Sequence, residues 1–208
     1  MLSSSPRAER SLDGGAIVLD AGGHALPLTA AELFGSPRPL EVELGVGKGR
    51  FLLEWATAHP QIGLLGVERA GKYLETAAVS VARRGLRNVR LLHTTAEDLL
   101  FRCLAAASVA AFHVYFPDPW PKKRHHKRRF FRPDNVARLA EVLAPGGLLR
   151  VKTDHGAYAA VIAELLAAES RLEAVTIEDA FAEVPPTSFE VKYTRDERPI
   201  HHFAYRRC

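Results

Sequence analysis

Glu43 stands two residues before Gly45-Val46-Gly47-Lys48-Gly49, a run with glycine at alternate positions. Glycines so spaced after a strand let the backbone pass close to a ligand and turn tightly into a helix. The spacing is not the Gly-x-Gly-x-x-Gly of a dinucleotide loop. Nor does Gly47-Lys48-Gly49 carry the Ser or Thr that a P-loop places after its lysine. A carboxylate facing inward at Glu43 is costly to bury without a partner. A lysine of the same chain or a ligand bearing an ammonium or hydroxyl would serve equally. A second acid, Glu68, closes Leu64-Leu65-Gly66-Val67, 21 residues after Gly47. An acid at the end of the second strand, beside the switch point of an α/β sheet, can accept hydrogen bonds from ribose hydroxyls.

A third acid, Asp118, lies between prolines in Phe116-Pro117-Asp118-Pro119-Trp120, which runs directly into a basic block. Lys122 to Arg132 contains seven Lys/Arg (122, 123, 124, 127, 128, 129 and 132) and no acid. The whole chain carries only +4, so the remainder is negative by three. Positive charge concentrated in this way attracts a polyanion, with nucleic acid foremost. Trp120 reads equally as a lock for its proline-flanked loop or as a platform for a base. His125 and His126 extend the basic surface and have no third ligand at metal-binding spacing. His201-His202 reads as a feature of a final strand, and Tyr193–Arg198 as a solvated turn with internal ion pairs. Trp55, on one face with Phe51 and Leu52, reads as core, as do Phe112 and Tyr115.

These residues must be positioned by alternating strands and helices. The patterns predict strands at 40–44, 64–68, 89–93, 112–116 and 148–153, with helices at 49–58, 71–84, 97–107, 133–143 and 156–169. Pro133 and Asp134 open one helix well, and Pro145-Gly146-Gly147 stops it. Five such alternations imply a doubly wound α/β domain, a mostly parallel sheet with helices on both faces. Two later strands, 172–177 and 200–206, are joined without a clear crossover helix and imply a C-terminal antiparallel addition. Residues 1–15 read as flexible and 16–39 as an irregular lead-in, leaving residues 40–208 as the domain.

The chain has 208 residues, 47% of them apolar and 25% charged, as expected of a globular protein with one full core. Two cysteines, Cys103 and Cys208, form neither a metal-binding spacing nor a disulfide framework. No signal-peptide core or membrane-length apolar run is evident, and a cytoplasmic location is expected.

The glycine loop with Glu43 and Glu68, together with Leu143-Ala-Pro-Gly-Gly147, resembles the class I S-adenosylmethionine-dependent methyltransferases. Four further features resemble the bacterial tRNA (guanine-N7-)-methyltransferases: Phe116–Trp120, the Lys122 basic run, Thr153-Asp154-His155 and Thr187-Ser188-Phe189-Glu190. The resemblance runs from about Glu41 to Arg206. It implies a Rossmann-like fold, S-adenosylmethionine as methyl donor, no metal, and methylation at N7 of a guanine in the tRNA variable loop. It assigns Glu43, Gly45, Gly47, Glu68, Thr95 and Asp118 to the cofactor side, with Asp118 also the catalytic acid. It assigns Lys122, Asp154, Thr187, Ser188, Phe189 and Glu190 to the substrate. Thr95 stands where many members carry Asp or Asn, and Ser188 where Lys or Arg is frequent.

Two other classes weigh against this reading. A non-catalytic RNA-binding module would keep the fold and the basic block but has no need of five intact acids. A nicotinamide-dependent oxidoreductase would use the glycine loop, but the spacing, the basic block and the want of a hydride-transfer site disfavour it. No obligatory protein partner is evident, and tRNA is the expected one.

Overall fold

Short apolar runs separated by helical repeats build one eight-stranded sheet, seen in a computed structural model that describes residues 11–12, 15–19 and 25–208. In chain order the elements are β1 (Ser11–Leu12), β2 (Gly15–Ala16), β3 (Val18–Leu19), α1 (Ala30–Phe34), β4 (Leu40–Leu44) and α2 (Arg50–Ala58). Then follow β5 (Gly63–Val67), α3 (Gly71–Arg84), β6 (Val89–Leu92), α4 (Ala96–Asp98), β7 (Val109–Tyr115) and α5 (Pro133–Val142). The last are β8 (Leu143–Thr153), α6 (Gly156–Ala168), β9 (Leu172–Ala174), α7 (Ile177–Phe181), α8 (Ser188–Arg195) and β10 (His201–Arg207).

The sheet runs β3-β6-β5-β4-β7-β8-β10-β9, with β1 and β2 pairing separately. Pairings from β3 through β8 are parallel, and β10 is antiparallel to both β8 and β9. The expected C-terminal antiparallel addition is therefore present. From β4 the chain builds outward to β5 and β6 on one side, then returns to start β7 and β8 on the other. The strand order thus reverses between β4 and β7, and the crevice beyond their C-terminal ends is where ligands bind in such sheets. The glycine loop leaves the end of β4 and the Phe116–Trp120 turn leaves the end of β7, so both converge on this crevice.

Residue alternation divides the core between the two faces of the sheet. Val42, Leu44, Phe112 and Val114 pack with Leu139, Tyr158 and Ile162 on one side. Phe51, Leu52, Trp55, Leu64 and Tyr115 pack on the other. Glu41 and Glu43 alternate with Leu40, Val42 and Leu44 along β4, so both carboxylates project on the second side.

Several segments differ from expectation: β8 starts at Leu143, five residues before the expected strand, and β9 ends at Ala174, three residues short of it. The helix anticipated over 97–107 is only α4 followed by a π-helical turn, Leu99–Cys103. Arg138 of α5 donates to the Leu100 and Leu104 carbonyls, at 2.9 Å and 2.7 Å, satisfying groups that a longer helix would have used. The lead-in read as irregular contains β3 and α1. The latter opens with a capping box in which Thr29 and Glu32 bond each other's backbone, a signature present in Thr29-Ala-Ala-Glu32. Most of residues 1–15, the segment read as flexible, lie outside the described residues. Finally, α7 and α8 fill the connection between β9 and β10 that the sequence left without helices.

Candidate active site

Gly45, Gly47 and Gly49 all take positive φ, at 87°, 55° and 81°. At Gly45 and Gly47 a Cβ would meet nothing within 4 Å, so the backbone angle and not crowding requires glycine there. The Gly45 and Val46 amides bond the Val67 carbonyl at 2.9 Å and 3.1 Å, tying the loop to β5. Glu68 completes the tie: its carboxylate accepts from the Gly47 N–H at 2.9 Å and from the Ala70 N–H at 2.8 Å. The two motifs thus form one hydrogen-bonded unit.

Beside this loop lies a cavity of about 300 Å³ lined by Glu43, Gly45, Gly47, Phe51, Tyr115 and Phe116 among others. Thr187, Ser188, Phe189 and Lys192 close it from the C-terminal side, and Tyr73 of α3 adds a half-exposed rim. Glu43 is buried and its Oε2 has no hydrogen-bond partner. Burial pushes its carboxyl well above the usual range, and the nearby charge of Glu68 pushes it further. Among the described residues no lysine pairs with Glu43: Lys48 and Lys192 line the same cavity but are exposed, and Lys152 pairs with Glu190.

A buried polar network supports the cavity floor from beneath. His113, fully buried in β7, places Nε2 2.8 Å from Glu41 Oε2 and Nδ1 2.9 Å from the Tyr115 hydroxyl. Trp55 Nε1 donates to the same Glu41 oxygen at 2.8 Å. Burial raises the Glu41 carboxyl, but His113 and the Trp55 N–H outweigh it and hold it below its ordinary value. Burial also lowers His113. The contact is therefore a neutral imidazole N–H donated to a carboxylate, which leaves Nδ1 to accept from Tyr115.

The Phe116–Trp120 turn begins and ends on strained residues, with φ of 53° at Phe116 and 42° at Trp120. Arg129 clamps it: its Nε donates to the Pro119 carbonyl at 2.8 Å while its guanidinium lies over Tyr158. Arg129 is buried, unlike the exposed cations on either side of it. Lys122, Lys123, Arg124, Lys127, Arg128 and Arg132 are exposed, and Lys123–Arg128 form a 3-10 helix that projects the charges. Trp120 packs under the Arg128 guanidinium and edge-on to His125. Those contacts give it the loop-locking role. Asp118 is exposed two residues beyond Phe116.

The remaining predicted residues divide. Thr187 caps α8 through a capping box with Glu190. Glu190 also receives the ammonium of buried Lys152 on both oxygens, at 3.0 Å and 2.8 Å. Burial would raise Glu190, but His202, Lys152 and the Thr187 N–H bring it down to about 2. Lys152 lies also near the rings of Tyr115 and Phe181. Asp154 pairs with Arg198 at 3.4 Å, so 193–198 is held to the end of β8 instead of bonding only within itself. The Thr95 hydroxyl is engaged with Asp98 at the start of α4. Glu43, Gly45, Gly47, Thr187, Ser188 and Phe189 thus share one cavity, with Glu68 and Glu190 bonded to its walls. Asp118, Lys122, Asp154 and Thr95 do not line it.

Sequence reasoning missed Lys152 and His113. His113 is a polar residue inside the otherwise apolar β7, the same kind of signal that singled out Glu43, whereas Lys152 stands between Val151 and Thr153 with Arg150 close by and carries no such signal.

A family described as "Putative methyltransferase" matches residues 37–203. The tRNA (guanine-N(7)-)-methyltransferase of Nocardia farcinica is 40% identical over 191 residues, 86% of this chain and 71% of that protein. The same-named protein of Mycobacterium avium is 42% identical over 70% of this chain, which there spans 56% of the relative's length. Among solved structures, the 16S rRNA methyltransferase KamB superposes with a TM-score of 0.59 at 17% identity, covering 84% of this chain and 90% of that one; this speaks to the fold alone. By the length and level of these identities, the chain belongs to the tRNA (guanine-N(7)-)-methyltransferase family.

Proposed function

We propose that this protein transfers a methyl group from S-adenosylmethionine to N7 of a guanine in tRNA, in the variable loop, and that it does so in the cytoplasm. Identity near 40% to tRNA (guanine-N(7)-)-methyltransferases over most of the chain carries this reading. The cavity suits the cofactor chemically. An orphaned buried carboxylate oxygen on Glu43 faces a site for a cation, and glycines at positive φ bring bare backbone to its wall. Glu68 uses one lone pair per oxygen on the Gly47 and Ala70 amides, which leaves capacity to accept from ribose hydroxyls.

S-adenosylmethionine supplies an electrophilic methyl carbon bonded to a positively charged sulfur. Guanine N7 has a lone pair and no proton, so no general base is needed to create the nucleophile. The chain must align N7 with the methyl carbon and accommodate the positive charge that the base acquires. Asp118, exposed on a strained turn at the crevice, orients the base and faces that charge. Lys122 lies next to it on the RNA side. Phe189, half exposed at the cavity mouth and near Phe116 and Tyr193, offers a stacking surface for a splayed base. Glu190, held by Lys152, acts by fixing Thr187–Phe189 over the cavity. Asp154, through Arg198, steadies the segment that follows α8.

The test is incubation of the protein with labelled S-adenosylmethionine and unmodified tRNA, followed by nucleoside analysis. N7-methylguanosine should form with the wild type and fall by about 100-fold or more with Asp118→Ala, the scale of losing a charged group from the transition state. Wild-type turnover in that variant removes Asp118 from the mechanism, and no product with the wild type refutes the activity.

A further inference from the structure

Among the described residues, Glu43 supplies the carboxylate oxygen that is buried without a hydrogen-bond partner, and it lines the cavity. The groups around it provide no counter-charge of their own. Glu68 faces it from the end of β5 and is itself acidic, Tyr115 presents its ring from β7, and His113, opposite Glu43 on β7, is engaged by Glu41 and the Tyr115 hydroxyl. Lys48, Arg50 and Lys192 line the cavity from the loop, α2 and α8, yet all three are exposed and Arg50 is paired with Glu54. An isolated carboxylate in such a place takes up a proton instead of remaining charged. Charge would return only when a cation enters beside it.

We propose that Glu43 holds a proton in the empty pocket and gives it up when a cationic cofactor binds, which makes it the residue that selects for positive charge on the ligand. This rests on reading the cavity as the S-adenosylmethionine site. The acid O–H bond breaks, the proton passes to solvent, and the carboxylate left behind pairs with the ligand cation; no electrons are exchanged. The ligand offers two cations, its sulfonium and its α-ammonium.

Isothermal titration of the full-length protein across a pH series, in buffers of different ionisation enthalpy, counts the protons exchanged on binding. Below the folded-state pKa of Glu43, S-adenosylmethionine should release up to about one proton per molecule bound, and its affinity should rise as pH rises, by up to about tenfold per pH unit. S-adenosylhomocysteine, which lacks the sulfonium, separates the two cations. Equal release with both ligands assigns the ammonium as the partner of Glu43, and release with S-adenosylmethionine alone assigns the sulfonium. Glu43→Gln, an isostere of the protonated acid, should fold, bind more weakly and release no proton. Binding without proton release by the wild type, or undiminished release by Glu43→Gln, overturns this inference alone. Absence of binding by either ligand overturns the cofactor reading as well.

Discussion

Lys152 and Glu190 occupy a place where neither charge can stand alone. Lys152 is 2% exposed, and the carboxylate on its ammonium also closes the capping box of α8. Removing one member of such a pair leaves the other buried and uncompensated, which costs more than the pair itself contributes. Glu190→Gln should therefore lower stability by about 3 kcal/mol at neutral pH, read from denaturant midpoints. The sign of its pH dependence follows from the depressed carboxyl. With a folded-state value of about 2 against an ordinary 4.5, the contribution of Glu190 is full above about pH 4.5 and disappears as pH falls through 2. The stability gap between wild type and variant should accordingly narrow over that acid window. A gap that stayed constant from neutral pH to 2 would show that the ionised Glu190 is not what holds α8 in place.

The elements were legible where one physical signal dominated. Alternating apolar runs located β4, β5, β6 and β7 within three residues, and Pro133 marked the start of α5, whereas Pro145-Gly146-Gly147, expected to stop that helix, falls inside β8 where its pairing with β7 is irregular. The short helices α7 and α8 were missed, although Thr187-Ser188-Phe189-Glu190 carries the same capping-box signature as α1: α7 spans only five residues and α8 buries none of its side chains, so neither shows a sustained apolar repeat. Nor was the division of the acids: Glu43 and Glu190 look alike as carboxylates in motifs, and only packing shows that one lacks a partner while the other has Lys152. The glycine loop is legible from both sides and permits a contrast within one element. Gly47→Ala meets no protein atom, so its cost is the left-handed backbone, about 1–2 kcal/mol. Because that backbone borders the cavity, affinity for S-adenosylmethionine should fall roughly tenfold, about 1.4 kcal/mol. Gly49→Ala carries left-handed strain too, at φ 81°, and also places a methyl 3.1 Å from Ala77 Cβ, so it should in addition disturb the packing of α2 on α3. Equal effects of the two substitutions on cofactor affinity, at matched loss of stability, would mean that the loop backbone does not touch the ligand.

At the scale of the molecule, positive charge is gathered beside the Asp118 turn. Outside the stretch from Lys122 to Arg132 the chain is net negative, so attraction of a polyanion is local to that stretch. Six of its seven cations are exposed, whereas Arg129 is spent inside on Pro119 and Tyr158. Backbone contacts of this kind release counterions, and each contributes about 0.7–0.9 to the slope of log affinity against log salt. If all six engage phosphates, tRNA binding should weaken with a slope of roughly −4 to −5. Replacing Lys123 and Arg124 together by alanine should flatten that slope by about 1.5 while leaving S-adenosylmethionine affinity intact. Arg129→Ala should leave the slope unchanged and reduce turnover, because it frees the strained turn that carries Asp118 without removing a phosphate contact. Filter binding from 50 to about 300 mM salt distinguishes the two kinds of arginine. A slope that responds to Arg129→Ala but not to the exposed pair would place the RNA on a different face of the protein.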